Sequence, residues 1–232
     1  MKQSERKTYD KNQFLSIIRW YDCDVLDTIG ASRANNEAAL TTVVSAAREA
    51  FARYGIHRTR MEDIAAAAGI PRQYLYRYVA SKEQLVELAL LERCREFSDE
   101  ILEQTRMSTA TPEQALATAI VTCVTAGRQD TEFAYLAEAL SRTRLSLILS
   151  GSGSPMHTYV KRCLSPILER ARSAGSLRTD ATDDAIIDWL QGQMTWLTPR
   201  DDLDEAAMET LLHTFVVPSL FRHASEDRPA IP

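Results

Sequence analysis

The segment from Thr41 to Lys82 concentrates side chains whose types and spacing suit the binding of nucleic acid. Arg72, Gln73, Tyr74 and Arg77 lie close together in a predicted short helix. Arginine can donate two hydrogen bonds to guanine O6 and N7, and glutamine can pair with adenine N6 and N7. The pattern therefore predicts side chains that reach base edges in a major groove.

Three further residues of this segment, Tyr76, Tyr78 and Lys82, are better suited to phosphate oxygens, which fix register without reading sequence. Packing of the tyrosine rings between helices is an equally open interpretation. The two roles are compatible because a tyrosine has an apolar body and a polar tip.

The charge of the segment agrees with this interpretation. Between Thr41 and Lys82 it carries seven basic side chains against three acidic ones, whereas the whole chain of 232 residues has a net charge of -5. A basic segment on an acidic body is typical of a phosphate-binding head. A merely solvated surface gives the same asymmetry, so charge alone does not decide between them. The basic residues are Arg48, Arg53, Arg58, Arg60, Arg72, Arg77 and Lys82.

The residues that position these side chains are predicted to form two short helices joined by a tight turn. Thr59 with Glu62 is predicted to begin a helix near residues 60–67, and Gly69 permits the left-handed turn that follows. Pro71 begins the second helix, near residues 71–78. Leu75 and Val79 should face inward, which leaves the opposite face free, as in a helix-turn-helix.

The remainder of the chain also shows helical periodicity, with apolar positions three and four residues apart in nearly every stretch. Its 45% hydrophobic content is enough for a sizeable core. Two reciprocal capping boxes are expected, Ser81 with Gln84 and Thr111 with Gln114. We therefore predict an all-α fold. Helices are predicted near residues 12–29, 40–54, 60–67, 71–78, 82–106, 112–128, 131–149, 155–174, 182–197 and 203–222.

The run from Val43 to Leu88 resembles the DNA-binding domain of the tetracycline-repressor-like (TetR) family of bacterial regulators. The matching features include Ala46-Ala47, Phe51, Gly55, Ala68-Gly69-Ile70 and Ser81-Lys82-Glu83. The resemblance implies an N-terminal three-helix helix-turn-helix domain followed by a helical ligand-binding and dimerisation domain. Its expected divisions are an N-terminal extension at 1–39, the DNA-binding domain at 40–85, and the ligand-binding and dimerisation domain at 86–232.

By this resemblance the protein would be a transcription regulator, usually a repressor, that binds a double-stranded, palindromic DNA operator as a homodimer and is released by a small-molecule effector. Tyr76 and Lys82 would hold phosphates, and Thr59 and Arg60 at the start of the first short helix would touch the DNA backbone. The residues that would read bases are Arg72, Gln73, Tyr74 and Arg77. The family commonly has small residues where this chain has Pro71 to Tyr74, so its base preference is not transferable.

The last two predicted helices are expected to form the dimer interface, as a four-helix bundle across a two-fold axis. An intramolecular core is the alternative for the same residues. The candidates are Ile186, Ile187, Trp189, Leu190, Trp196 and Leu197 in one helix, and Leu203, Ala207, Leu211, Leu212, Phe215, Val216, Leu220 and Phe221 in the other.

The middle helices are expected to enclose the effector. Candidate lining residues are Phe97, Tyr135, Arg142, His157 and Tyr159, although ordinary core or surface roles are open for each of them.

Other functions have weaker support in the sequence. Cys23, Cys94, Cys123 and Cys163 lie far apart without metal-ligand spacing, so we expect free thiols and no metal or cofactor, with redox sensing or metal binding as the alternative. Ser152 beside His157 lacks the glycine spacing of a nucleophile elbow, which disfavours a hydrolase. A helical interaction protein is the remaining rival. The N-terminus lacks a secretory apolar run, and the uncharged stretch 145–160 is too short and broken to span a bilayer, so a cytoplasmic protein without membrane contact is expected.

Overall fold

A computed structural model describes residues 32–151 and 153–221, with side chains from residue 38 onward. The predicted helix at 12–29 and Ser152 of the hydrolase alternative lie outside the described residues. The helices are α1 Ser32–Tyr54, α2 Met61–Ala67, α3 Arg72–Tyr78, α4 Lys82–Met107, α5 Pro112–Gln129, α6 Thr131–Glu138, α7 Arg142–Leu149, α8 Pro155–Ser173, α9 Asp183–Leu197, α10 Glu205–Leu211 and α11 Val217–Leu220, with a π-helical turn Leu212–Val216 between the last two.

The all-α prediction is confirmed. Within 32–151 and 153–221 no residue belongs to a β-strand, and β-type pairing is limited to an isolated bridge between Leu177 and Phe221. This bridge holds the end of the described chain against the turn that follows α8. None of the described helices is both long enough and apolar enough to cross a bilayer.

Two predicted helices before residue 150 differ from the observed ones. The helix predicted at 40–54 begins earlier, because α1 begins at Ser32. The expected start of the DNA-binding domain at residue 40 therefore lies inside a helix. The single helix predicted at 131–149 is wrong, because α6 ends at Glu138 and α7 begins after Ser141. The Ser141 hydroxyl accepts the Arg144 amide at 3.3 Å, so this serine caps a new helix in the middle of an apolar periodic run.

The last predicted helix, 203–222, is also interrupted. It begins at Glu205, where Asp204 caps it, and changes to a π-helical turn over Leu212–Val216 before α11. Pro218 explains the change, because proline has no amide hydrogen and its ring clashes with the carbonyl four residues earlier.

The helix-turn-helix consists of α2, a tight turn and α3. Gly69 donates to the Ala66 carbonyl at 3.2 Å and Ile70 donates to the Ala65 carbonyl at 3.0 Å, the two bonds of a Schellman motif. Gly69 has a φ of 67°, a left-handed conformation that suits glycine. Ile64, Leu75 and Val79 are buried together beneath the turn, as the sequence predicts.

The predicted beginning of α2 needs correction. Thr59 with Glu62 was expected to form the cap, but the cap residue is Arg60, whose amide donates to the Asp63 carboxylate at 2.8 Å. The capping box of Thr111 and Gln114 is confirmed. At Ser81 only one half forms, because Gln84 accepts the amide of Ala80 rather than that of Ser81.

Two apolar clusters form the interior, and α4 contributes to both. The first half of α4, including Leu85 and Leu88, packs with α1, α2 and α3. The same cluster contains Leu136 of α6 and Ile148 of α7. Further along α4, Ile101 enters the second cluster, which α5, α8, α9 and residues 208–221 complete. The helix-turn-helix therefore shares its core with helices of the C-terminal part.

The stability of the helix-turn-helix should depend on Leu75, whose side chain is fully buried in α3. We expect Leu75→Ala to lower the free energy of unfolding by about 2–5 kcal/mol, because it removes buried methyl groups and leaves a cavity. Denaturant unfolding followed by circular dichroism measures the change. The control is Leu147→Ala, at a side chain that is 43% exposed, with an expected change within about 0.5 kcal/mol. Equal effects of the two substitutions would contradict the assigned core.

Candidate nucleic-acid interface and ligand cavity

Helix α3 presents a polar face to solvent. The side chains of Arg72, Gln73 and Arg77 are exposed, and those of Tyr74 and Tyr76 are 44% and 45% exposed. Leu75, between them in sequence, is buried against Ile64. The burial of this one leucine fixes the rotation of the helix, so the residues predicted to read bases lie on its free side.

Contacts along α3 hold the long side chains in place. The Arg77 guanidinium lies 5.4 Å from the ring centre of Tyr74, and that of Arg72 lies 5.6 Å from the ring centre of Tyr76. Arg72 also forms an exposed ion pair of 2.8 Å with Glu62 of α2. Such surface pairs are weak and easily exchanged, so Arg72 can leave Glu62 for a stronger anion such as a phosphate.

Two predicted backbone-contact residues have internal partners. Thr59 is buried, and its hydroxyl lies 2.8 Å from the Gly55 carbonyl and 3.1 Å from that of Ala50. The Lys82 ammonium donates to the carbonyls of Ile56, His57 and Thr59 at 2.7, 3.2 and 3.1 Å. An ammonium has three donors, so Lys82 fixes the loop between α1 and α2 before any phosphate is present.

The other predicted phosphate contacts differ in exposure. Arg60 is exposed at the cap of α2, beside the loop that Lys82 holds. Tyr78 is half-buried and packs against the apolar cluster of the helix-turn-helix, so both interpretations of this tyrosine apply to one side chain.

Arg48, one of the seven basic residues in the segment, belongs to a different contact. It pairs with Glu96 of α4 at 2.5 Å and with Glu132 of α6 at 2.7 Å. The hydrogen bond from Arg48 holds the pKa of Glu96 below its ordinary value. Arg48 therefore attaches α1 to the body of the molecule, and its charge does not add to the exposed face of α3.

The helix-turn-helix geometry agrees with comparisons with known proteins. Residues 43–89 match the family described as bacterial regulatory proteins, tetR family. Residues 43–89 of this chain belong to the tetR family. A comparison with curated protein sequences finds no match.

Solved structures extend the likeness to the fold of most of the chain. A TetR-family transcriptional regulator from Pectobacterium atrosepticum superposes with a TM-score of 0.59 at 16% identity, covering 82% of this chain and 98% of that one. The TetR family repressor AlkX from Dietzia superposes with a TM-score of 0.53 at 21% identity, covering 78% and 94%. The matched class is one of transcription regulators, not of enzymes.

Behind the tetR-family domain, α4 to α9 enclose a cavity of about 640 Å³. This volume is within the range of small-molecule sites. Three of the five predicted effector residues, Phe97, Arg142 and Tyr159, contribute to its lining. The cavity therefore lies where the sequence analysis expected one, between the middle helices.

The other two predicted effector residues, Tyr135 and His157, do not line this cavity. Tyr135 points toward α1, where its hydroxyl accepts a hydrogen bond from the Ile56 amide and donates one to the Phe51 carbonyl at 3.2 Å. His157 is buried, and its Nδ1 lies 3.2 Å from Oε1 of Gln191, which does line the cavity. Neither side chain is part of the cavity lining. The sequence prediction was wrong for these two residues because helical spacing does not show which face of a helix meets an empty space.

Helix α6 connects the cavity to the tetR-family domain. Phe133 and Ala137 line the cavity, and Leu136 is buried in the core shared with α1. Glu132 pairs with Arg48 of α1, and the Tyr135 hydroxyl donates to the Phe51 carbonyl in the last turn of α1. One short helix thus contacts both the ligand space and the DNA-binding domain.

The cysteines also lie at the cavity. Cys94, Cys123 and Cys163 are free and line its wall, and burial raises the pKa of Cys94 to about 12. Within the described part of the chain, no group of three metal-ligating side chains is close enough to hold an ion. Cys23 lies outside the described residues.

Sequence reasoning did not single out the interaction of Arg48 with Glu96 and Glu132, or the polar residues Ser98 and Gln191 in the cavity wall. Partners 48 and 84 residues apart leave no local signal. Gln191 carried a weak one, since it is an amide in the middle of an apolar helix. It donates to Ser154 and to the Leu149 carbonyl at 2.8 and 2.7 Å.

Lys82 gives a test of this geometry in the free protein. We expect Lys82→Met to lower the free energy of unfolding by about 1–2 kcal/mol, because three carbonyls lose a charged donor in a partly buried position. Thermal and denaturant unfolding measure the effect, with the exposed Arg58→Met as the charge-matched control. Unchanged stability would show that the three bonds do not hold the loop.

Proposed function

We propose that this protein is a ligand-responsive transcriptional regulator, a repressor that binds a palindromic DNA operator as a homodimer and is released by a small-molecule effector. The observation that carries the proposal is the exposed face of α3, where Arg72, Gln73, Tyr74 and Arg77 are free of the core. The two arginines of this face lie against the rings of Tyr76 and Tyr74. A helix of this kind enters the major groove in other helix-turn-helix proteins.

In the proposed complex the base-reading residues are Arg72, Gln73, Tyr74 and Arg77. Arg60, Tyr76 and Tyr78 contact phosphates, with side chains that begin at the cap of α2 and along α3. Thr59 and Lys82 act by holding the loop between α1 and α2, and Lys82 adds positive charge beside the backbone. The rival interpretation, a helical interaction protein, provides no reason for an exposed row of arginine, glutamine and tyrosine.

The proposed base contacts predict a sequence-selective loss. Arg77→Ala and Gln73→Ala should each weaken binding of an operator, selected from random duplexes with the purified protein, by about 1–3 kcal/mol and relax preference at one base pair. Competition binding with single-base operator variants measures this. Arg106→Ala, which removes an exposed charge near the far end of α4, is the control.

The salt dependence of binding distinguishes DNA recognition from the rival. A protein that neutralises phosphates loses affinity linearly with the logarithm of salt concentration, with a slope of about 0.9 per phosphate for duplex DNA. Absence of binding to every duplex at low salt would refute the proposal, and an equal loss on all sequences would refute base reading by residues 73 and 77.

A homodimer is supported by an aromatic surface on the last helices. Most of the residues expected in the interface, including Ile187, Leu190 and Leu212, are buried within the chain, as the alternative of an intramolecular core requires. Trp189, Trp196 and Phe215 are instead 41%, 51% and 68% exposed. Three large aromatic side chains in solvent support a contact with another molecule.

The two tryptophans are arranged as in a helix-packing surface. They lie seven residues apart on α9, two helical turns, so they share one side of the helix. The exposed Gly192 lies between them, where a Cβ would meet no atom within 4 Å. A second copy of the chain satisfies this surface by packing α9 and the π-helical turn against their equivalents across a two-fold axis.

The dimer is testable with substitutions on this surface. Trp196→Glu and Phe215→Glu should each weaken the dimer by at least about 30-fold and reduce operator affinity, because aromatic anchors dominate interfaces. Sedimentation velocity across a concentration series measures the dimer. Met107→Glu, at a side chain that is 76% exposed on α4, is the control. A dimer unaffected by both substitutions would place the interface elsewhere.

The effector response is supported by α6, which contacts the cavity and α1 at once. A ligand changes DNA affinity only by its differential affinity for two arrangements of the molecule, typically about 1–3 kcal/mol. A ligand that moves Phe133 also moves the helix that carries Glu132 and Tyr135, the residues bound to the DNA-binding domain.

A further inference from the structure

The cavity wall is apolar over most of its extent. Phe97, Ile101, Val124, Phe133 and Leu149 line it from five different positions on the surrounding helices. No aspartate, glutamate or lysine is among the described residues of the lining. A ligand that fills this space therefore needs a largely apolar body, since burying its polar groups against such a wall costs free energy.

One charged side chain, Arg142, interrupts this wall among the described residues. It is exposed at the beginning of α7 and forms no ion pair with any described residue. Its neighbour Arg144, by contrast, pairs with Glu87 at 2.6 Å. The guanidinium of Arg142 thus lies where the cavity meets solvent, without an acidic partner in the described part of the chain.

A buried hydroxyl group also lies in the cavity wall. Ser98 of α4 is 97% buried, because only 3% of its surface is exposed, and it lines the cavity. Its hydroxyl has no hydrogen-bond partner among the described residues. A buried hydroxyl without a partner is uncommon in proteins and leaves a donor and an acceptor available to a ligand.

We propose that the cavity binds an apolar monocarboxylic acid, whose carboxylate pairs with Arg142 at the entrance and whose body carries one neutral hydrogen-bonding group that reaches Ser98. The arginine fork matches the two oxygens of a carboxylate. A phosphate monoester carries nearly two charges and would need more donors than one arginine offers. This inference rests on the proposed function in that it names the chemical class of the effector.

The carboxylate part is tested by calorimetry on the full chain without DNA, with dodecanoate, dodecanol and dodecylamine as probes, the two charged ones below their micelle concentrations and dodecanol below its solubility limit. Dodecanoate should bind more tightly than the other two. Arg142→Gln should weaken the binding of dodecanoate by about tenfold, because one charged hydrogen-bonded pair is lost, and should leave the affinity for dodecanol unchanged. Arg106→Gln is the matched surface control. Equal affinities of dodecanoate and dodecanol for the wild-type protein, or no effect of Arg142→Gln, would overturn the proposal.

The Ser98 part is tested with a series of hydroxydodecanoic acids that differ in the position of the hydroxyl group. At least one isomer should bind more tightly than dodecanoate to the wild-type protein. Its affinity should fall by about three- to tenfold in Ser98→Ala, while the affinity for dodecanoate stays unchanged. Circular dichroism and thermal unfolding confirm that the variant folds. If Ser98→Ala affects every isomer equally, the hydroxyl does not meet the ligand.

Failure of this inference is separable from failure of the proposed function. Release of the operator by neutral compounds alone would overturn the carboxylic acid as the effector class and leave the proposed regulator function standing. Binding of an acid through Arg142 with no change in operator affinity would support the ligand class and refute its role as effector.

Discussion

The structure depends on one helix, α4, that belongs to two cores. Its 26 residues extend over about 39 Å at about 1.5 Å per residue. Leu85 and Leu88 near its beginning are fully buried beneath the DNA-binding domain, while Ile101 further along is buried with α5 and α8. A helix committed to close-packed contacts at both ends cannot shift in one core without disturbing the other.

Polar contacts add a second connection beside this shared core. Arg48 of α1 binds Glu96 on α4 and Glu132 on α6, and Tyr135 binds the backbone at the end of α1. Arg93 extends the network to Asp130 at 2.8 Å, and its guanidinium lies 4.3 Å from the ring centre of Phe97 in the cavity wall. The charges that join the two parts of the molecule are therefore adjacent to the space where a ligand would bind.

The basic residues of the segment from Thr41 to Lys82 differ in their roles because the fold gives them different partners. Lys82 and Arg48 are directed inward, toward three carbonyls and two carboxylates, and they stabilise the position of the DNA-binding domain. Arg60, Arg72 and Arg77 remain exposed. A basic segment thus contains residues of two kinds, which differ only in the partners that the fold brings to them.

The sequence by itself determined the helices and the turn, because these depend on neighbours in the chain. The periodic apolar residues predicted the all-α fold, Gly69 and Pro71 predicted the turn, and the burial of Leu75 followed from its spacing of four residues to Val79. The break at Ser141 was missed, since the apolar period continues across it. The tertiary structure decided which apolar residues of α9 and α10 are core and which are exposed, and which of Phe97, Tyr135, Arg142, His157 and Tyr159 meet the cavity. Those choices depend on the angles and distances between helices far apart in sequence, and helical periodicity specifies a face without specifying what lies opposite it.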